Sequence, residues 1–303
     1  MSRMSLHSIT KGKIERPFRI VLMGQEGVGK STFASRAPKP IFLGSEQGTH
    51  HLDVHRFPQP ETWEDILDAV RVLLEEEHDF ATFVLDSLDW AEPLCWDYVA
   101  RQAGKKHIEE ISYGKGYVAA VDQWRFLLSQ LDRLSERSGM HIILIAHSQI
   151  RTFKNPIGED YDRYQLALHE KSAAVIRQWA DAMLFARHDV VIKADGDHKV
   201  RALDTGARII ETQHAGGWDA KNRYDLPERL PLDWHEFERH ARAGLSGQVD
   251  KLIEQIRVEI ASLDDANASK ARAALERAGR DIDKLESLLN WCRDRINKNG
   301  GEQ

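Results

Sequence analysis

Gly24-Gln25-Glu26-Gly27-Val28-Gly29-Lys30-Ser31 is the stretch on which the reading of this chain turns. It fits the pattern G-x-x-x-x-G-K-[ST], and Thr32 follows it. An apolar run at residues 18–23 leads in like a buried strand, and a helix-like stretch begins at Lys30. In that setting the glycines let backbone N–H groups curl around phosphates while Lys30 reaches the β- and γ-phosphates. Ser31 can place its hydroxyl on Mg²⁺, and the helix N-terminus adds a favourable dipole. The stretch Gly24 to Thr32 is therefore expected to bind a nucleoside triphosphate with Mg²⁺, and ATP is the expected cofactor.

Working outward, residues 18–23, 41–43, 82–85 and 141–146 share one design: a short apolar run ending in a polar or Gly-rich turn. Such runs read as central parallel strands buried on both faces. Helical stretches separate them. Residues 61–77 carry a helical apolar stripe, with Thr62 and Asp65 spaced as a capping box. Residues 116–137 carry another, closed by Ser138-Gly139. Alternating strand and helix predicts a doubly wound α/β sheet with its ligand at the carboxyl ends of the strands. That rule gathers Glu46, Asp86 and Gln149 around the phosphate loop.

Beyond residue 182 the pattern changes. Residues 183–186, 190–193, 199–203 and 208–212 look like short strands joined by tight turns such as Asp195-Gly196-Asp197, an antiparallel extension of the sheet. The stretch 245–297 reads as a small all-helical unit, a hairpin or three helices. The expected division is a lead at 1–16, an ATPase core at 17–240, the helical unit at 245–297 and a frayed tail at 298–303.

A chain of 303 residues accommodates one large α/β domain and this appendage. No run approaches 18 apolar residues, so no membrane partner is expected. Residues 1–16 are basic and polar without an apolar signal core. The two cysteines, Cys95 and Cys292, lack metal or redox spacing, which predicts a reduced, cytoplasmic setting. A net charge of -6 argues against indiscriminate coating of nucleic acid but leaves room for a local basic channel. His50, His51 and His55 do not offer the four spaced ligands of a structural zinc site.

Three strand ends carry candidate chemistry. Asp86 can hold the Mg²⁺ shell through water; its alternative is a loop aspartate capping the next helix. Glu46 can orient and activate the attacking water, or be a solvated turn residue. Gln149 can sense the γ-phosphate and pass its presence to the following loop, or be a polar strand terminus. Two later segments suit single-stranded nucleic acid. Residues 102–115 offer Lys105, Lys106 and Lys115, and residues 149–169 offer Arg151, Phe153, Lys154, Tyr161, Arg163 and Tyr164. Cations neutralise phosphates and aromatic faces stack bases. Glu109, Glu110, Glu159 and Asp160 dilute that charge, so ordinary polar loops remain the alternative.

The segments 41–46, 58–62, 83–88 and 144–151 follow one another in an order and spacing that resemble the RecA-like recombinase core. The resemblance covers about residues 16–229 and is closest to core-only ATPases of bacteriophages that look like single-strand annealing recombinases. It implies that Lys30, Glu46, Asp86 and Gln149 form the catalytic set, with Glu46 matching the catalytic glutamate, Asp86 the Mg²⁺-associated aspartate and Gln149 the γ-phosphate-sensing glutamine. It places residues 149–169 on the second DNA-binding loop and 102–115 near the first. Asp219-Ala220-Lys221-Asn222-Arg223 resembles the element that such ATPases and ring helicases insert into a neighbouring subunit's nucleotide site, which makes Lys221 and Arg223 trans-acting candidates. One departure is that residues 149–169 are not glycine-rich.

The leading expectation is a DNA-dependent ATPase in a phage-infected bacterial cytoplasm that binds single-stranded DNA and promotes annealing or strand exchange as a ring or filament. A ring translocase or helicase, a small-molecule kinase and a non-hydrolysing nucleotide switch are the competing classes. The C-terminal helices are open to self-association, to contact with a single-strand DNA-binding protein, or to capping the core.

Overall fold

The computed structural model describes residues 9, 16–44, 49–195 and 199–300. In chain order its elements are β1 (Arg19–Gly24), α1 (Lys30–Ser35), β2 (Pro40–Gly44), β3 (His55–Arg56), α2 (Trp63–Glu75), β4 (Thr82–Asp86), α3 (Leu88–Gln102), α4 (Lys115–Ser138), β5 (His141–Phe153), β6 (Tyr161–Leu166), α5 (Glu170–Trp179), β7 (Ala182–Asp195), β8 (Lys199–Glu211), β9 (Lys221–Asn222), β10 (Arg229–Pro231), α6 (Trp234–Leu245), α7 (Gln248–Ala261), α8 (Asp265–Ala278) and α9 (Ile282–Gly300).

The sheet runs β10-β8-β7-β1-β5-β4-β2-β3, with β6 added to β5 and β9 to β7. From β7 to β3 neighbouring strands are parallel, and β8, β10, β9 and β6 pair antiparallel. The expected α/β architecture, a parallel P-loop sheet with an antiparallel extension, is therefore the one observed. β5 lies between the phosphate-loop strand β1 and β4, so β5 passes between Gly24 and Asp86 at Ile145 to His147.

The reason for the central strands is visible in their burial. Val21 and Met23 enter a core with Trp63, Phe83, Trp124, Leu131 and Leu144. Ile20 and Leu22, which alternate with them onto the other face, are equally inaccessible. That face is covered by an aromatic group in which Phe18 meets Phe237 at 5.4 Å and Phe33 meets Trp234 at 5.7 Å, both edge-on. On the first face Trp63 meets Trp124 at 5.0 Å and 73°, a geometry that adds about 0.5–1.5 kcal/mol to their burial.

Helix ends follow local chemistry. Asp65 N donates to Thr62 Oγ1 at 3.2 Å and Thr62 N to Asp65 Oδ2 at 2.9 Å, the reciprocal capping box that starts α2. α4 stops where Gly139 takes φ 67° and donates to Ser135 O.

Four segments differ from the local reading. β5 does not end at residue 146 but runs to Phe153 and folds back as β6, so the expected loop 149–169 is mostly a β-hairpin, paired from Ser148↔Leu166 to Phe153↔Tyr161. The four short strands expected at 183–212 are two long ones, β7 and β8, whose register shifts between His188 and Val190; the expected turn Asp195-Gly196-Asp197 extends outside the described residues. Residues 102–115 form two 3₁₀ turns, Ile108–Glu110 and Ser112–Gly114, anchored by buried Ile108. α9 continues to Gly300, into the stretch expected to fray.

The chain forms two compact units. One comprises Arg16–Arg223 and Glu228–Phe237; the other takes Tyr224–Pro227 and residues from 238 on. The second unit has its own core, built from Val249, Leu252, Ile256 and Ile260 of α7, Ala268, Ala271 and Ala278 of α8, and Ile282, Leu285 and Cys292 of α9. Among the described residues, no helix is long and apolar enough to cross a membrane.

Candidate functional site

The loop after β1 is shaped by two glycines for different reasons. Gly24 pairs with Ala186 of β7, and a Cβ there would lie 2.4 Å from Ala186 O. Gly29 caps α1 at φ 107°, a left-handed conformation that costs other residues energy. Lys30 follows, 6% exposed, with Nζ donating to Gly24 O at 3.1 Å and Gln25 O at 2.8 Å. Burial pulls its pKa below the usual lysine range, and Asp86, Asp89 and Glu26 oppose that pull. A cation held by two loop carbonyls is held weakly enough to exchange them for phosphate oxygens.

Ser31 Oγ donates to Asp86 Oδ2 at 2.5 Å. Burial pushes the Asp86 carboxyl up, while the Ser31 bond and Lys30 pull it down. A hydroxyl and a carboxylate in contact are the hard oxygen donors that Mg²⁺ takes, with water completing its shell. Lys30, Ser31 and Asp86 thus converge as expected, and the donor set fits both triphosphate and metal.

β5 delivers a residue that sequence reasoning passed over. Gly24 pairs with His147, so this histidine stands directly beside the phosphate loop. Its Nδ1 lies 2.7 Å from Asp89 Oδ2, and its backbone N donates to Asp89 Oδ1 at 2.8 Å. The Asp89 bond raises the pKa of His147 against partial burial and Lys30. Asp89 is desolvated, yet the bonds from His147 hold its carboxyl below the usual range. The signal was available: Asp89 falls in the first turn of α3, three residues after Asp86, and His147 is the first polar residue after the apolar run of β5.

Gln149 is not aimed at the phosphate loop. Its Nε2 donates to Leu166 O at 2.9 Å, because the strand continues past it and the amide serves the hairpin. Glu46 lies outside the described residues; before it Gly44 pairs with Asp86, and after it Arg56 donates to Thr49 O at 3.0 Å. A second overlooked residue is Arg208 of β8. A Cβ built on Gly29 would sit 2.9 Å from its guanidinium. Arg208 is exposed, and among the described residues it has no acidic partner.

The nucleic-acid candidates divide. Arg163, with its side chain 10% exposed, pairs with Asp219 at 2.8 Å and lies over the Phe153 ring at 4.3 Å. It is a structural cation, not a free one, because the chain from 215 to 219 runs along β6. Tyr164 stacks on Phe185 at 5.0 Å and accepts a bond from Gln25 at 3.3 Å, so it belongs to the phosphate-loop side. Lys154 is exposed but paired with Asp160. Arg151 is exposed and donates to Leu168 O at 3.1 Å, and Phe153 and Tyr161 meet at 5.3 Å, both half-buried. Lys105, Lys106 and Lys115 are exposed around the 3₁₀ turns.

Lys221 does not reach outward. β9 pairs it with Met183, and its Nζ donates to the carbonyls of Arg177 at 2.9 Å, Gln178 at 3.0 Å and Ala180. All three ammonium hydrogens thus cap the C-terminal end of α5 in the same chain. Arg223 is more than half exposed and bonds Asp181 at 3.2 Å.

The profile of AAA_24, an AAA domain family, matches residues 16–224. No curated protein matches the chain. Among solved structures, one titled "Crystal structure of the RadB recombinase" is similar with a TM-score of 0.37 at 14% identity, covering 64% of this chain and 80% of the other.

Proposed function

From the premise that the chain belongs to the AAA_24 family of AAA domains, we propose that it is an ATPase that binds single-stranded DNA and uses the ATP cycle to promote strand annealing or exchange. One observation carries the reading. The strand that passes the phosphate loop at His147 is the same strand that runs out as the hairpin bearing Arg151 and Phe153, with Lys154 just beyond. A nucleotide event midway along β5 therefore has a covalent path to a surface of cations and aromatics.

In this reading Lys30 grips the terminal phosphates, and Ser31 and Asp86 hold Mg²⁺. Bound Mg²⁺ supplies positive charge to the phosphate oxygens as hydrolysis builds negative charge there. Glu46 takes the proton of the attacking water, giving ADP and phosphate. Lys105, Lys106, Lys115 and Arg151 contact DNA phosphates, and Phe153 and Tyr161 stack bases. Protomers assemble as a ring or filament, and Arg223, rather than Lys221, is the cation left for a neighbour's nucleotide.

The test is ATP turnover with and without single-stranded DNA, run beside an annealing assay on complementary strands. Turnover is expected to rise with DNA, and Lys30→Ala is expected to abolish it. Turnover indifferent to DNA, with no annealing, reduces the protein to a nucleotide hydrolase of another kind.

A further inference from the structure

We propose that His147, oriented by Asp89, contacts the terminal phosphate and is the residue by which this site tells a triphosphate from a diphosphate. The inference rests on the reading of Gly24 to Thr32 as a triphosphate site.

Position comes first. β5 lies between β1 and β4, so its middle, Ile145 to His147, is flanked by the phosphate loop on one side and Asp86 on the other. His147 is the residue of β5 in register with Gly24. Its ring feels Lys30 and Glu26, which places it within electrostatic reach of the lysine that grips the terminal phosphates. Gln149 stands two residues further out with its amide committed to Leu166 O.

Orientation comes second. Asp89 is a carboxylate, so it accepts, and the 2.7 Å contact fixes the hydrogen of His147 on Nδ1. A second bond to the His147 backbone N from the same carboxylate, at 2.8 Å, locks strand and ring together. The Nε2 edge is left for a ligand, and the side chain is 42% exposed. A γ-phosphate brings negative charge to that edge. This favours the imidazolium, whose Nε2–H donates a charge-assisted bond. ADP has no oxygen at that place.

The contact has a route onward. His147 O accepts from Ala167 N at 2.9 Å, so the residue just past β6 is tied to it. One helical turn after Asp89, Glu92 of α3 accepts from His169 N at 2.9 Å. The segment that leaves the hairpin's return strand is thereby tied to His147 at Ala167 and to Glu92 of α3 at His169. Asp89 is a positioning residue here, and His147 is the contact.

The test is calorimetric titration of the full chain with Mg²⁺–ADP and with a Mg²⁺ complex of a non-hydrolysable ATP analogue. His147→Ala is expected to weaken the analogue about tenfold to a hundredfold and to leave ADP within about twofold. His147→Gln, which keeps an N–H donor, should recover part of the difference. Asp89→Asn should lose part of it, with a loss that grows as pH rises and the ring sheds its second proton. Equal weakening of both nucleotides by His147→Ala, or of neither, overturns the assignment. Should wild-type protein bind neither nucleotide, the phosphate-loop reading fails, and that outcome is separate from failure of the histidine. If His147→Ala does not fold, the ratio of the two affinities in Asp89→Asn and His147→Gln decides; no change in either overturns the proposal.

Discussion

At the phosphate-loop end of the sheet, Lys30, Asp86, His147 and Arg208 face a place where an anion with its metal fits. At the β5–β6 hairpin and at the end of α5 most of the charges singled out are already paired within the chain: Arg163 with Asp219 and Lys154 with Asp160 on the hairpin, Lys221 with three carbonyls at the helix end. Both regions are rich in cations, and composition makes them look alike. The difference lies in the partners. Lys30 rests on loop carbonyls that phosphate oxygens can replace. Lys221 rests on the carbonyls of a helix end, which it caps. A cation is a candidate ligand group only where the fold leaves it an exchangeable partner.

The sharpest way to break this contrast is at Asp219, whose side chain is 5% exposed. Asp219→Ala leaves Arg163 almost buried and without its carboxylate. Arg177, which approaches the second oxygen at 2.9 Å off the line of a hydrogen bond, loses its partner too. Removing one member of such a buried pair costs about 3–5 kcal/mol, read as a fall in the urea midpoint. A loss below about 1 kcal/mol would mean the hairpin is held by its strand pairing alone. Next in size is Lys221→Met. Loss of three capping bonds at a partly exposed helix end should cost about 1–2 kcal/mol and leave turnover per folded protein unchanged. Unchanged stability with turnover lost, rescued by mixing with Lys30→Ala protein, would instead show Lys221 acting on a neighbour's nucleotide.

What was legible beforehand follows the same division. The phosphate loop is a local structure: its glycines, its lysine and the helix start lie within nine residues, so the pattern carries its own geometry. Asp86 was legible because a strand ending in a carboxylate points at the ligand edge of a parallel sheet. Thr62 and Asp65 were legible because a capping box spans four residues. His147 with Asp89, Arg163 with Asp219, and Lys221 with the end of α5 were not, since each pair joins elements far apart in the chain, and only the strand order makes them neighbours. Gln149 was misread for a related reason. A run of apolar residues marks where a strand is buried on both faces, and it stops at Ala146, although the strand continues into a polar hairpin that pairs outside the layers of helices.

Arg208 tests the other side of the comparison, a cation the fold leaves free. Its guanidinium lies against Gly29 without an acidic partner among the described residues. Arg208→Ala should raise the Kd for nucleotide about threefold to tenfold while stability stays within about 0.5 kcal/mol of wild type. A stability loss with unchanged affinity would place it among the structural cations instead.

The smallest effect comes from the His147–Asp89 ion pair, which bridges β5 and α3 at the phosphate-loop end, and its sign is fixed by two opposite shifts. His147 is more basic in the folded chain than in the unfolded one, through its bond to Asp89. Its contribution is complete below the ordinary histidine pKa of about 6.5 and is lost as pH rises through the raised folded value. Asp89 is more acidic when folded. Its contribution is complete above the ordinary aspartate value of about 3.9 and is lost as pH falls through the lowered one. The pair therefore stabilises the fold fully between about pH 4 and 6.5 and progressively less on either side. With the histidine 42% exposed, solvent screening holds the effect below about 1 kcal/mol. Urea midpoints taken across pH 5 to 9 should show wild type losing its advantage over His147→Gln on the alkaline side. Parallel pH curves for the two proteins would mean that the 2.7 Å contact contributes no coupling, and that His147 is held in place by its backbone bond to Asp89 alone.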